Sequence, residues 1–279
     1  MGAITKAAEA KSAIQKQPSV NQLMNSILDG EGMRKRFNDL LGARAPQFLS
    51  SIVSLVNADK NLQRAFYESP MTVIQSALKA ATFDLPVEPS LGYAYIVPFN
   101  NYKDGVKRME ASFIIGYKGM VQLCLRTGAY ARVPDAVDVR EGELVSYDRL
   151  TGDAEFHWIE DEDQREALPI IGYAGYFRLK NGAEKTIYMT VKQIEGHEKK
   201  NRKGQSMGKG WREDFDAMAR KTVIRRLCGK YGLMSITYQN GDAKTMQLAQ
   251  SVMEEEPVGS EIILDPAPEE VPVEEGAPV

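Results

Sequence analysis

The chain has 279 residues, 43% of them hydrophobic, which suffices for the core of one large domain or two small ones. No run of eighteen apolar residues occurs, which excludes a transmembrane helix, and Met1–Val20 lacks the apolar centre of a signal peptide. We therefore expect a cytoplasmic protein with no membrane partner. Two cysteines, each inside an apolar segment, exclude a disulfide framework and a zinc site.

The net charge of the chain is −3, but its acidic and basic residues are unevenly distributed along the sequence. Residues 254–279 contain nine acids and no base, which leaves 35 bases and 29 acids, about +6, in the rest of the chain. A basic body favours a polyanionic partner. The acidic tail either competes with that partner or recruits another protein, or it only keeps the chain soluble. The charge pattern leaves these interpretations open.

The first third of the chain has the pattern of helices. We expect a flexible arm at residues 1–18 and a helical lobe at 19–84. Ser69–Pro70 is a typical helix start, with serine as the cap and proline at the first helical position. Apolar residues recur at helical spacing in two stripes, which are Val20, Leu23, Met24, Ile27 and Leu28, and Phe48, Leu49, Ile52, Val53 and Val56.

Residues 85–250 are predicted to form an α+β core. Its predicted strands are Tyr93–Phe99, Ala111–Ile115, Glu155–Ile159, Ile171–Lys180 and Glu184–Met189, and its main helices are Tyr117–Thr127 and about Trp211–Lys230. Asn181–Gly182 is a strong hairpin signal, and Thr190 is predicted to cap a short helix. We expect a central antiparallel β-sheet, a meander, with inserted and flanking helices, followed by a disordered acidic tail at 251–279.

The segment from Lys192 to Lys230 holds twelve bases and five acids. Such an excess suits a track of phosphates, because each neutralised phosphate releases condensed counterions, whereas an ordinary solvated helix face is the alternative. At 100° per residue, Arg220 and Arg226 fall among apolar residues, where an arginine needs an acidic partner or a ligand groove. Lys221 and Arg225 lie together outside the predicted apolar arc of Phe215, Ala219, Val223, Ile224, Leu227 and Cys228.

A second polar stripe recurs every four residues at Lys118, Gln122 and Arg126, which therefore share one helix face. Val121, Cys124 and Leu125 are expected to face a core. Gly116 and Gly119 flank Lys118, and glycines there would let a phosphate backbone approach closely. An exposed amphipathic surface explains the same spacing equally well.

Aromatic side chains offer stacking contacts that tolerate any base sequence. Trp211 is the best candidate, because it follows a basic, glycine-rich loop and is expected to be exposed at a helix start. Tyr117 is a further candidate, although most such aromatics are expected in the core.

Motifs for hydrolysis are incomplete. The loop Gly204–Gly210 is one residue short of a phosphate loop and lacks the Ser/Thr that holds magnesium, so we expect no ATP hydrolysis. The run His197–Lys200 lacks the second histidine of a zinc motif. A nuclease would have to use Pro134–Asp135 with Glu198, a pattern that is frequent by chance. We expect no enzyme, no metal site and no cofactor, and leave open whether magnesium bridges phosphates.

Five runs of the sequence together resemble the RecT family of phage recombinases. They lie in order within residues 20–248 and are Leu85–Asn100, Ile115–Leu123, Glu141–Glu143, Ile171–Phe177 and Trp211–Arg226. Several runs in order are far more specific than any single motif.

The resemblance implies ATP-independent annealing of complementary strands in homologous recombination, on a core with the Rad52 annealing fold. It implies a phage or prophage origin, a homo-oligomeric ring or filament in which the helical lobe makes subunit contacts, and a partner exonuclease. Single-stranded and annealed duplex DNA would be the ligands, and a host single-strand-binding protein is a further candidate partner. A passive single-strand coat protein and an interaction scaffold are the alternatives.

The resemblance also implies DNA-facing residues. These are Lys118, Gln122, Lys209, Trp211, Arg220, Lys221, Arg225 and Arg226. Asn100, Lys199 and Lys200 match the family only by position, and Arg126 and Tyr117 are added because of the polar stripe and the stacking argument.

Overall fold

A computed structural model of the chain describes residues 18–103, 105–202 and 205–235. These residues fall into two compact units, 18–88 with 96–113, and 89–95 with 114–235. The predicted acidic tail, residues 236–250 and all but the last residue of the predicted arm lie outside the described residues. None of the described helices is long and apolar enough to cross a membrane.

The first unit is mainly helical. Its helices are α1 (Val20–Leu28), α2 (Glu31–Leu41), α3 (Ala45–Ala58), α4 (Lys60–Glu68) and α5 (Pro70–Thr82). Ser19 and Gln22 cap the start of α1 reciprocally. Helix α5 begins at Pro70, as the Ser69–Pro70 pair predicts, although the Ser69 side chain makes no capping bond.

Two long strands, β1 (Ala94–Lys103) and β2 (Val106–Ile115), form a two-stranded sheet. Side chains of the helical unit bind the backbone of β2. Glu68 accepts a hydrogen bond from the Met109 N–H at 2.5 Å, and Thr72 accepts one from the Ala111 N–H at 3.0 Å. These bonds hold β2 against the ends of two helices.

The second unit contains the remaining elements. They are α6 (Tyr117–Arg126), β3 (Tyr130–Arg140), β4 (Leu144–Tyr147), β5 (Ala154–Phe156), α7 (Glu162–Glu166), β6 (Ile170–Leu179), β7 (Glu184–Thr190), α8 (Val191–Asn201), α9 (Lys209–Glu213) and α10 (Phe215–Tyr231). An antiparallel sheet has the order β3-β6-β7, and β4 pairs with β5. The predicted α+β class with antiparallel sheets is confirmed, although the described strands form separate sheets.

Local signals placed most of these elements correctly. Gly182 has a positive φ of 91° between β6 and β7, as Asn181–Gly182 predicts. Thr190 caps α8 reciprocally with Gln193. The predicted single helix from Trp211 is interrupted, because Asp214 accepts a hydrogen bond from the Ala217 N–H at 2.9 Å and starts a new helix, α10.

Strand β3 is absent from the sequence-based prediction. Pro134 and four charged residues hide the strand pattern in the sequence. Burial also does not follow hydrophobicity, because Val133 and Val137 are exposed whereas Asp138 is buried. Pro134 is tolerated because β3 is an edge strand of the sheet formed by the described residues, and its register with β6 shifts between Arg132 and Asp135.

Helix α10 lies against the middle of the sheet. A Cβ atom at Gly175 of β6 would stand 2.6 Å from Cγ1 of Val223, so only glycine permits this approach. Both cysteines are fully buried in the same core, as their apolar surroundings predicted.

Candidate nucleic-acid interface

Helix α6 exposes the polar stripe that the sequence predicts. Lys118 is exposed, Gln122 and Arg126 are half-buried, and the three lie on one side of the helix. Leu125 borders this face and is 46% exposed, so the expectation that it faces the core is wrong. The outer face of α6 is thus a polar stripe with one apolar neighbour.

The glycines around Lys118 serve a different purpose from the predicted one. A Cβ atom at Gly116 would lie 2.2 Å from the Gly92 carbonyl oxygen, and one at Gly119 would lie 2.1 Å from the Tyr93 carbonyl oxygen. The Gly116 N–H also donates to the Tyr93 carbonyl at 2.8 Å. The backbone that approaches closely is therefore the chain's own, and the prediction of a phosphate backbone there is wrong.

Helix α10 is buried on more sides than the predicted apolar arc allows. Met218 and Thr222 are buried as well, although they lie outside that arc. Lys221 and Arg225 are half-buried beside them. Arg220 and Arg226 are exposed, and each lies about 120° around the helix from the middle of this pair, one on either side. The bases of α10 consequently do not form one continuous face.

Arg225 connects α10 with the beginning of α6. Its Nη1 donates to the carbonyl oxygen of Ile115, just before Gly116, at 2.7 Å. The structure therefore brings Arg225 to the amino-terminal end of α6, and Lys221 lies one helical turn away from it on α10.

Arg220 belongs to a buried ion network. Its Nη2 lies 3.2 Å from Oδ1 of Asp138, while Arg165 and Arg140 contact Oδ2 at 3.1 and 3.3 Å. Of the two alternatives that the sequence left for this arginine, an acidic partner or a ligand groove, the structure shows the acidic partner. Its side chain remains 45% exposed, so part of the guanidinium still faces solvent.

Glu143 is the fully buried end of the same network. Its Oε1 accepts from Nε of Arg165 at 2.7 Å, and its Oε2 accepts from the Arg140 N–H at 2.7 Å. Burial raises the pKa of Glu143, but these hydrogen bonds outweigh it and hold the pKa below its ordinary value. Sequence reasoning missed this network, and its only signal was the family-like run Glu141–Glu143.

Trp211 is a core residue. It is 5% exposed, and its ring meets that of Phe215 edge-on with centroids 5.5 Å apart. The predicted exposure of Trp211 for base stacking is therefore wrong. A basic, glycine-rich loop precedes it, but the indole turns inward because a large apolar ring gains more from burial than from a solvent-exposed position.

Fluorescence should report the burial of Trp211. In a Trp158→Phe variant Trp211 is the sole tryptophan, and we expect blue-shifted emission, weak quenching by acrylamide and little change when an oligonucleotide is added. The reciprocal Trp211→Phe variant is the control, because Trp158 is 44% exposed and should be quenched several-fold more strongly. Emission typical of a solvated indole from Trp211 would contradict the structure.

The remaining predicted residues lie on several different elements. Lys199 and Lys200 are exposed at the end of α8, and Lys209 is exposed 3.8 Å from Glu213. Asn100 is exposed on β1 in the first unit. Tyr117 is half-buried and packs against the core of the second unit.

The two acids of the nuclease pattern both have partners within the protein. Glu198 is 3% exposed and forms an ion pair with Arg202, and Asp135 accepts a hydrogen bond from the Ala136 N–H at 2.8 Å. Within the described ranges, no three His, Cys, Asp or Glu residues are grouped so that they could hold a metal ion.

Comparison with known proteins gives consistent matches. The sequence model of the RecT family matches residues 46–260. The uncharacterised protein YqaK of Bacillus subtilis strain 168 is 43% identical over 216 residues, which cover 77% of this chain and 69% of that protein. Protein RecT of Escherichia coli K12 is 31% identical over 197 residues, which cover 71% of this chain and 66% of that protein.

Proposed function

This chain belongs to the RecT family, and we propose that it binds single-stranded DNA along α6 and the adjoining side of α10 and anneals complementary strands without ATP. Membership of the family implies single-strand annealing in recombination, and thus DNA binding by an annealing protein rather than a classical enzyme. The matches span about two-thirds of each relative, so the finer properties below are proposals.

One observation supports this location of the DNA-binding site. Lys118, Gln122 and Arg126 line the outer face of α6, and Arg225 binds the Ile115 carbonyl at the start of the same helix, with Lys221 one turn away on α10. We infer that these two segments, more than ninety residues apart in sequence, contribute to one basic surface. We call these five residues the α6–α10 surface. Lys199, Lys200, Lys209, Arg220, Arg226, Asn100 and Tyr117 are proposed as secondary contacts.

The mechanism requires no bound cofactor. Phosphates of one strand bind the α6–α10 surface and leave the bases free to test a second strand. Base stacking of about 1.4 kcal/mol per step then drives the product in place of ATP hydrolysis. Magnesium contributes only by bridging phosphates.

Copies aligned on one strand need a repeating head-to-tail contact, for which we propose the helical segment 19–84. An exonuclease would supply the single strands, and a host single-strand-binding protein is a further proposed partner.

The test is annealing of two complementary labelled oligonucleotides without ATP, over a protein titration at two salt concentrations. We expect fast pairing that weakens at the higher salt, with both strands intact in the presence of magnesium. Binding that inhibits pairing would make the chain a passive coat protein. Shortened strands would indicate a nuclease, and a Glu198→Ala variant would then identify its metal ligand.

A further inference from the structure

The segment that follows the described residues is strongly acidic. Residues 254–279 hold nine acids and no base, whereas the rest of the chain has an excess of about six positive charges. Carboxylates and DNA phosphates use the same Lys and Arg donors, so the two anions compete wherever both can reach.

The chain leaves the described structure beside α6. The Ser235 N–H donates to the Leu123 carbonyl of α6 at 3.1 Å. Tyr130 fixes the same segment, because its hydroxyl donates to the Leu233 carbonyl at 3.0 Å and accepts from the Leu233 N–H at 2.7 Å. The exit point is therefore tied to the helix that bears Lys118, Gln122 and Arg126.

The spacing lets the acids reach this surface. Residues 236–253 separate the exit point from the first acid of the run, and eighteen residues span at most about 60 Å. Helix α6 is only about 15 Å long and α10 about 26 Å. A segment tethered within this distance has an effective concentration in the millimolar range, so even weak ion pairs compete with dilute DNA.

We propose that residues 254–279 lie on the α6–α10 surface when DNA is absent and are displaced by phosphates when it binds. The proposal rests on the proposed function, because it assigns a regulatory occupant to the same surface. Competition of this kind disfavours short or isolated single-stranded segments, which offer few phosphates, and favours long strands that many copies bind together.

The experiment compares the full chain with a variant in which the nine tail acids are replaced by Gln or Asn at unchanged length. We expect the neutral-tail chain to bind a labelled oligonucleotide about ten-fold more tightly at ~50 mM salt, and less than about two-fold more tightly at ~300 mM, where charges are screened beyond a few ångströms. A third chain with the tail residues shuffled keeps the charge and should behave like the natural one.

Carbodiimide coupling distinguishes contact from a general effect of net charge. We expect tail carboxylates to couple to Lys118 or Lys221, identified by mass spectrometry, and coupling to be lost when oligonucleotide is added. Equal affinities of the natural and neutral-tail chains would overturn the proposal, as would an affinity difference without coupling to these lysines. If no chain binds DNA at either salt concentration, the proposed function itself is wrong, and so is the proposed competition between the tail and DNA.

Discussion

Replacing Glu143 by glutamine is expected to lower the free energy of unfolding by about 3–5 kcal/mol at pH 7, the usual cost of breaking a buried ion pair. Both oxygens of Glu143 accept hydrogen bonds, from Arg165 and from the Arg140 N–H. An amide in the same place must turn its NH₂ group towards one of these donors, and it leaves Arg165 with only Asp138 as a charged partner. Urea unfolding followed by circular dichroism measures the loss.

Glu141→Gln is the matched control. Glu141 is exposed two residues earlier, so the same chemical change should cost less than about 0.5 kcal/mol. A Glu143→Gln protein as stable as this control would show that the network does not stabilise the fold.

The effect of Glu143→Gln should depend on pH in one direction. Because the folded-state pKa of Glu143 lies below its ordinary value of 4.5, its charge stabilises the fold fully above about pH 4.5. The stabilisation is lost as the pH falls through the lowered pKa. The difference between natural and variant chains should therefore be largest at neutral pH and shrink below pH 4.5. A difference that stays constant down to pH 3 would exclude the carboxylate charge as its origin.

Reversing the charge of the α6 stripe should weaken binding of single-stranded DNA by about 100-fold at ~50 mM salt, and reduce the salt slope by about one. The variant is Lys118→Glu with Gln122→Glu. Both side chains lie on the outer face of α6, and an acid near the start of a helix is compatible with its dipole, so the fold should persist. Fluorescence anisotropy with a labelled oligonucleotide at several salt concentrations gives both quantities.

A control with the same change in charge separates location from net charge. Arg178→Gln with Lys180→Glu alters two exposed residues at the end of β6 in the same unit. We expect a clearly smaller loss of affinity than in the α6 variant, since salt weakens the effect of charges that do not contact the phosphates directly. Equal losses of affinity in both variants would show that the loss comes from the change in net charge and not from the position of the residues on α6. An unchanged affinity of the α6 variant would place the DNA elsewhere, with the α8 lysines the next surface to test.

Local chemistry accounts for what could be predicted correctly. The Asn181–Gly182 turn, the Thr190 cap and the start at Pro70 depend on a few neighbouring residues, and so they can be identified without knowledge of the fold. The polar stripe of α6 follows from helical periodicity alone. The bond between Arg225 and the Ile115 carbonyl at the start of α6 does not, because these two residues are distant in sequence.

By itself, then, the sequence determined the class of fold, most helix and strand starts, the shared face of Lys118, Gln122 and Arg126, and the family. Only the tertiary structure decided which backbone fills the space beside Gly116, where Trp211 points, and that β3 exists. In each case the deciding partner comes from a distant segment. Asp138 can be buried in β3 because Arg140, Arg165 and Arg220 surround it, and burial of a charge depends on partners that local patterns do not reveal.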